Sequence, residues 1–165
     1  MLKTSALLGF VLMAAAFAAC KKDAPYNEAA QMDIDDAIIV KYMADSNVKA
    51  TKDASGLYYN IIRAGREDVQ YMDTTKIYAN YRAKILKDTV YFSRSVDSTF
   101  FFNMPGNIAG WKRGVELAKL GGLVRLLIPS PLAYQQRTFT AGKKIPPNSI
   151  LDITLEIVSV NKKPK

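Results

Sequence analysis

Histidine is absent from this 165-residue chain, and cysteine occurs once, at Cys20. Without an imidazole there is no His-based catalytic triad, no His general base and no use of the commonest metal ligand. With one thiol there is no intrachain disulfide and no Cys-rich zinc site. Acidic side chains are outnumbered, 15 against 23 basic ones, for a formal charge of +8. The Lys and Arg residues are scattered and form no dense basic block, so the surplus does not point to nucleic acid. No low-complexity tract or internal repeat occurs. Any chemistry here must work without a thiol pair, an imidazole or a conventional metal cage.

What is present is an ordinary globular composition, 49% hydrophobic and 23% charged, enough for one domain with a core. The first nineteen residues read as an address. Lys3 supplies a positive start, Ala6 to Phe17 is apolar but too short for a membrane span, and small residues Ala18 and Ala19 precede Cys20. The tetrad Phe17-Ala18-Ala19-Cys20 resembles a bacterial lipobox, with Phe in place of the usual Leu. That resemblance implies a signal peptide over 1–19 and a lipidated Cys20 that anchors the chain to membrane lipid. Lys21 follows Cys20 where an inner-membrane retention signal has Asp. The expected location is therefore the cell envelope, lipid-anchored, at the outer membrane.

Residues 20–55 read as a tether and an N-terminal helix. The helix is expected over Ala29–Ser46, with Met32, Ala37, Ile38, Val40 and Met43 on one face. Gly56 opens a strand over 57–62. Lys76 to Ile85 alternates, with Ile77, Ala79, Tyr81, Ala83 and Ile85 on the buried side. Short strands are expected at 90–92 and 99–102, a short helix at 111–119, and a buried strand at 123–128. A long loop over 130–149 carries Pro131, Gly142, Pro146 and Pro147, and a loop of that length is usually functional. The last strand turns Leu151, Ile153, Leu155 and Ile157 inward and Asp152, Thr154 and Glu156 outward. Strands with one short late helix make an α+β domain.

Three segments narrow this reading. They are Gly110-Trp111-Lys112-Arg113-Gly114, then Pro129-Ser130-Pro131-Leu132-Ala133-Tyr134, then Ile145-Pro146-Pro147-Asn148-Ser149-Ile150-Leu151. In this order they resemble the FKBP-type peptidyl-prolyl cis-trans isomerases, over about residues 56–160, with a short basic tail at 161–165. The resemblance implies a curved antiparallel sheet wrapped around the helix that begins at Trp111. It also implies isomerase activity on proline-containing polypeptides, with no cofactor and no metal.

By the family pattern, Trp111 is the floor of a proline pocket. Tyr81 and Ile108 line its walls, and Tyr91, Phe101, Ile145 and Ile153 match further pocket positions of the family. The backbone N–H of Ile108 and the hydroxyl of Tyr134 reach the substrate backbone. The sequence departs from the pattern in three places. Phe92 stands where the family has an Asp, Lys87-Asp88-Thr89 replaces the usual turn, and Gln135-Gln136 follows Tyr134 in place of Gly. The first departure raises a second expectation, a catalytically weak binding or chaperone lipoprotein of the same fold. An open cleft enclosed by Tyr91, Trp111 and Tyr134 favours the enzyme. A cleft plugged by Phe92 or by the 130–149 loop favours the binding module.

Overall fold

Alternating β-branched and aromatic residues build a seven-stranded antiparallel sheet in this computed structural model, which describes residues 25–66, 69–97, 99–162 and 164. Cys20 and the leader lie outside the described residues. Among the described residues no helix is long and apolar enough to cross a membrane. The strands are β1 (Thr51–Lys52), β2 (Tyr58–Arg63), β3 (Ile77–Ile85), β4 (Tyr91–Ser95), β5 (Phe101–Phe102), β6 (Leu123–Ile128) and β9 (Leu151–Val160). Their order is β1-β2-β6-β9-β3-β4, with β5 also paired to β3. The long central pair β3–β9 runs from Ile77↔Val160 to Ile85↔Leu151. The expected 130–149 loop is not loop throughout. It contains a 3₁₀ turn, Ser130–Leu132, and a hairpin of β7 (Phe139–Ala141) and β8 (Lys143–Ile145) that turns at Gly142.

One face of the sheet carries α2 (Ala109–Ala118), and its core holds Val115, Ala118, Val124, Leu126, Leu155 and Ile157 at 2% exposure or less. The spacing of the G-W-x-x-G run has a packing cause. Gly110 and Gly114 lie one helical turn apart on the side facing β6. A Cβ at Gly110 would stand 2.3 Å from Ile128 Cγ2, and one at Gly114 would stand 2.2 Å from Leu126 Cδ1. Glycine at both positions lets the helix backbone lie directly on the strand.

The other face is covered by α1 (Glu28–Asp45), capped by the Asn27 side chain, which accepts from the Ala30 N–H at 3.0 Å. The buried stripe of α1 differs from the expected one. Ile39 is fully buried and packs with Tyr42, Met43, Tyr58, Leu86 and Leu127, whereas Ile38 and Val40 are exposed. Apolar residues occur on both sides of this helix, so periodicity alone does not identify the inner one. A buried polar residue helps to mark it: Asp35 lies four residues before Ile39 on the same stripe and is 1% exposed. Burying Ile39 contributes about 2 kcal/mol.

The same helix corrects the expected outward Asp152. Asp152 does lie on the face opposite Ile153, but that face is roofed, and its carboxylate is buried. It receives Arg125 Nε at 2.9 Å and Nη2 at 2.8 Å, and Arg125 also donates to the Tyr42 hydroxyl of α1 at 3.0 Å.

Candidate active site

Between the start of α2, the β3–β4 edge and the β7–β8 hairpin lies an open cleft of about 280 Å³. Every side chain lining it is uncharged, and most are aromatic or aliphatic. Trp111, in the first turn of α2, and Phe92 are its two buried rings. Tyr81 meets Trp111 edge-on, with centroids 5.3 Å apart and planes at 87°. Phe100 packs on Tyr81 at 4.8 Å, and Phe102 backs Trp111 at 5.2 Å. Such tilted aromatic contacts each add about 1 kcal/mol beyond area burial and hold the rings in place.

The opposite side is a stacked pair. Tyr134 and Phe139 lie 4.2 Å apart with planes at 8°. Burial, with a smaller contribution from the neighbouring Tyr81, pushes the Tyr134 phenol above its usual value. Tyr134 therefore stays a neutral donor at any ordinary pH.

Polar groups in the cleft are few. The Tyr81 and Ser93 hydroxyls are 2.7 Å apart. The indole N–H of Trp111 is buried and has no hydrogen-bond partner among the described residues. Ile108 precedes α2 in an extended conformation. Its carbonyl accepts the N–H groups of Trp111 and Lys112, at 3.1 and 3.2 Å, and α2 begins without a side-chain cap.

Of the residues named from sequence, Tyr81, Ile108, Trp111, Tyr134 and Ile153 line this cleft together. Three others do not. Tyr91 is on the outer side of β4, 41% exposed, and Phe92 takes the inner position. The cause is a bulge: Ala83 pairs with Ser93 and Lys84 with Tyr91, so Phe92 is an extra residue between two paired ones. Phe101 also points outward, at 49% exposure. It pairs with Tyr78, whose ring it touches at 5.6 Å, under the Lys76 ammonium. Its neighbours Phe100 and Phe102 face in, as strand alternation demands. Ile145 is fully buried and belongs to the core beneath the hairpin.

Lining residues not named for the site from sequence are Ala83, Phe92, Ser93, Phe100, Gly106, Asn107, Phe139, Ala141 and Leu151. Strand alternation was the signal for Phe100, and it had already turned Ala83 and Leu151 inward. The bulge and the hairpin left no local signature for Phe92, Ser93, Phe139 and Ala141. Phe92 forms a wall and not a plug, and the hairpin borders the opening without closing it. The structure puts Ser93 beside the Tyr81 hydroxyl.

A helix laid across an antiparallel sheet, with an aromatic cleft at its first turn, defines an α+β fold of the FKBP kind. The sequence model described as FKBP-type peptidyl-prolyl cis-trans isomerase matches residues 67–158. The chain belongs to that family. It is 34% identical over 131 residues to a probable FKBP-type peptidyl-prolyl cis-trans isomerase of Haemophilus influenzae, covering 78% of this chain and 52% of that protein. It is 31% identical over 147 residues to the FKBP-type peptidyl-prolyl cis-trans isomerase FkpA of Escherichia coli K12, covering 88% and 50%. The chain thus spans about half the length of these relatives. The crystal structure of FkpA from Escherichia coli superposes with a TM-score of 0.62 at 28% identity, over 82% of this chain and 65% of that one. A peptidyl-prolyl cis-trans isomerase from Pseudomonas syringae shares the fold, with a TM-score of 0.60 at 22% identity, over 85% and 98%.

Proposed function

We propose that this protein accelerates cis-trans isomerisation of X-Pro bonds in polypeptides. The carrying observation is the open, uncharged aromatic cleft built on Trp111, Tyr81 and Tyr134. The planar amide must rotate over a barrier of about 18–20 kcal/mol. Rotation breaks amide resonance, so charge separation falls on the way to the twisted state. An apolar cleft therefore disfavours the planar ground state more than the transition state, which is differential binding. In this reading the proline ring sits against Trp111, and the Ile108 N–H and Tyr134 hydroxyl hold the flanking carbonyls. No proton transfer, nucleophile or cofactor enters the step.

The leader-like residues 1–19 and the lipobox-like Cys20 extend the proposal to place. The protein would be lipid-anchored in the cell envelope and act on exported proteins. A second reading, a weakly catalytic binding or chaperone module, draws on the absence of any acid among the described residues lining the cleft, where the Tyr81 hydroxyl is hydrogen-bonded to Ser93.

The deciding experiment is exchange of an Ala-Leu-Pro-Phe peptide by the purified protein beside Trp111→Ala and Phe139→Ala. Acceleration that both variants reduce supports the enzyme. Peptide binding without acceleration supports the binding module.

A further inference from the structure

A buried carboxylate on α1 is hydrogen-bonded to the segment that leads into Tyr134. Asp35 is on α1, before the residues matched to the family, and is 1% exposed. A carboxylate is costly to bury without hydrogen bonds. Asp35 Oδ2 accepts both the N–H and the hydroxyl of Ser130, each at 2.6 Å, and Oδ1 accepts Gln31 Nε2 at 2.8 Å. Ser130 is itself fully buried.

The bonds continue from Ser130 towards the cleft. Its carbonyl accepts the N–H groups of Ala133 and Gln135, both at 2.9 Å, and these two residues bracket Tyr134. Gln135 sits at φ 56°, a left-handed conformation that a non-glycine residue adopts only when its surroundings impose it. Its carbonyl accepts the Asn148 N–H at 2.7 Å, which closes the turn. The Tyr134 ring leaves this turn and stacks on Phe139.

We propose that Asp35 is a positioning residue for the cleft. Through Ser130, α1 fixes the strained turn that aims Tyr134 and, through stacking, Phe139. The inference rests on reading the cleft as the proline site. It assigns α1 a part in substrate recognition although the helix does not line the cleft.

The test uses the purified full protein with Asp35→Asn and Asp35→Ala, each alone and combined with Tyr134→Ala. Peptide exchange is read beside the Tyr134 ring and Gln135 amide resonances, at a temperature where every variant is folded. Asp35→Ala should lower kcat/KM about tenfold, mostly through KM, because a small misplacement of a contact residue is enough. Asp35→Asn, which keeps an acceptor oxygen for Ser130, should lose less. In the Tyr134→Ala background neither change should lower kcat/KM further. The Tyr134 and Gln135 resonances should shift in both single variants. Folded single variants with wild-type kcat/KM and unmoved Tyr134 resonances would overturn the proposal. If Asp35→Ala does not fold, Asp35→Asn decides on the same readings. A wild type without activity would defeat the isomerase reading instead, and the resonances would still decide whether Asp35 positions Tyr134.

Discussion

The hydroxyl of Tyr81 on β3 reaches that of Ser93 on β4 at 2.7 Å, on the wall of an otherwise apolar cleft. The contact depends on the bulge at Phe92, which sets Ser93 opposite Ala83. Tyr81→Phe and Ser93→Ala remove the same hydrogen bond. Each should cost about 1 kcal/mol in urea denaturation. The double variant should cost little more than either single one, and a fully additive cycle would show that the two hydroxyls act independently.

Among the described residues, the cleft is lined by no carboxylate and no imidazole, and the Tyr134 phenol is pushed up by burial. Isomerase activity should therefore be flat from about pH 5 to pH 9, since carboxylates and imidazoles, the groups that change charge nearest neutral pH, are missing from that lining. A bell-shaped profile in that range would contradict it. At the alkaline end the sign is fixed. A phenol raised in the folded state stabilises fully below its ordinary value of about 10. That contribution is lost as pH rises through the folded value.

Acid should loosen the docking of α1. The Lys52 ammonium, together with the Tyr58 hydroxyl, holds the Asp36 carboxyl below its ordinary range. Lys52 sits 2.5 Å and the Tyr58 oxygen 2.5 Å from Asp36 Oδ1. A depressed carboxyl stabilises above its unfolded value of about 3.9 and loses that contribution as pH falls through the folded value. Amide exchange in α1 should therefore quicken below pH 4 in wild type, and Asp36→Asn should remove much of that pH dependence.

Gly110→Ala tests the close approach of α2 to β6. In an open helix this change stabilises by about 1 kcal/mol. Here the added methyl meets Ile128 Cγ2 at 2.3 Å, and Gly110 and Ile128 are both buried. Overpacking should reverse the sign, to a loss of about 1–3 kcal/mol read from the denaturation midpoint. A stabilised variant would mean that the helix has room to move.

Asp152→Ala leaves Arg125 half-covered beneath α1 without its carboxylate, and Lys84 Nζ, 3.7 Å away, loses the same partner. The loss should be about 2 kcal/mol or more, because an unpaired buried charge costs more than the pair contributed. Adding Arg125→Met should return part of it.

Much of the fold was legible in local pattern. The alternation from Ile77 to Ile85 and from Leu151 to Ile157 marks strands because a half-buried strand has period two. The core helix was legible from its glycines and Trp111. The cleft was legible in part, at Tyr81, Ile108, Trp111, Tyr134 and Ile153. It failed at Ile145, which belongs to the core beneath the hairpin, and at Tyr91 and Phe101, each one residue from a ring that does face in. A one-residue shift turns a strand side chain to the other face, and only the pairing of β4 and β5 with β3 specifies the register.

The sequence by itself determined the strands and the late short helix of an α+β domain, because these follow from residue types and spacings, which act locally. Its likeness to the FKBP-type isomerases carried the sheet wrapped around that helix and the aromatic pocket on Trp111. Tertiary structure alone decided that Phe92 is a wall, that Ser93 meets Tyr81, that Asp152 is roofed, and that Asp35 on α1 grips Ser130. Each of these joins residues through a bulge, a strand register or a helix docked on the far face. Such contacts are made between residues 12 to 95 positions apart, beyond the reach of any local pattern.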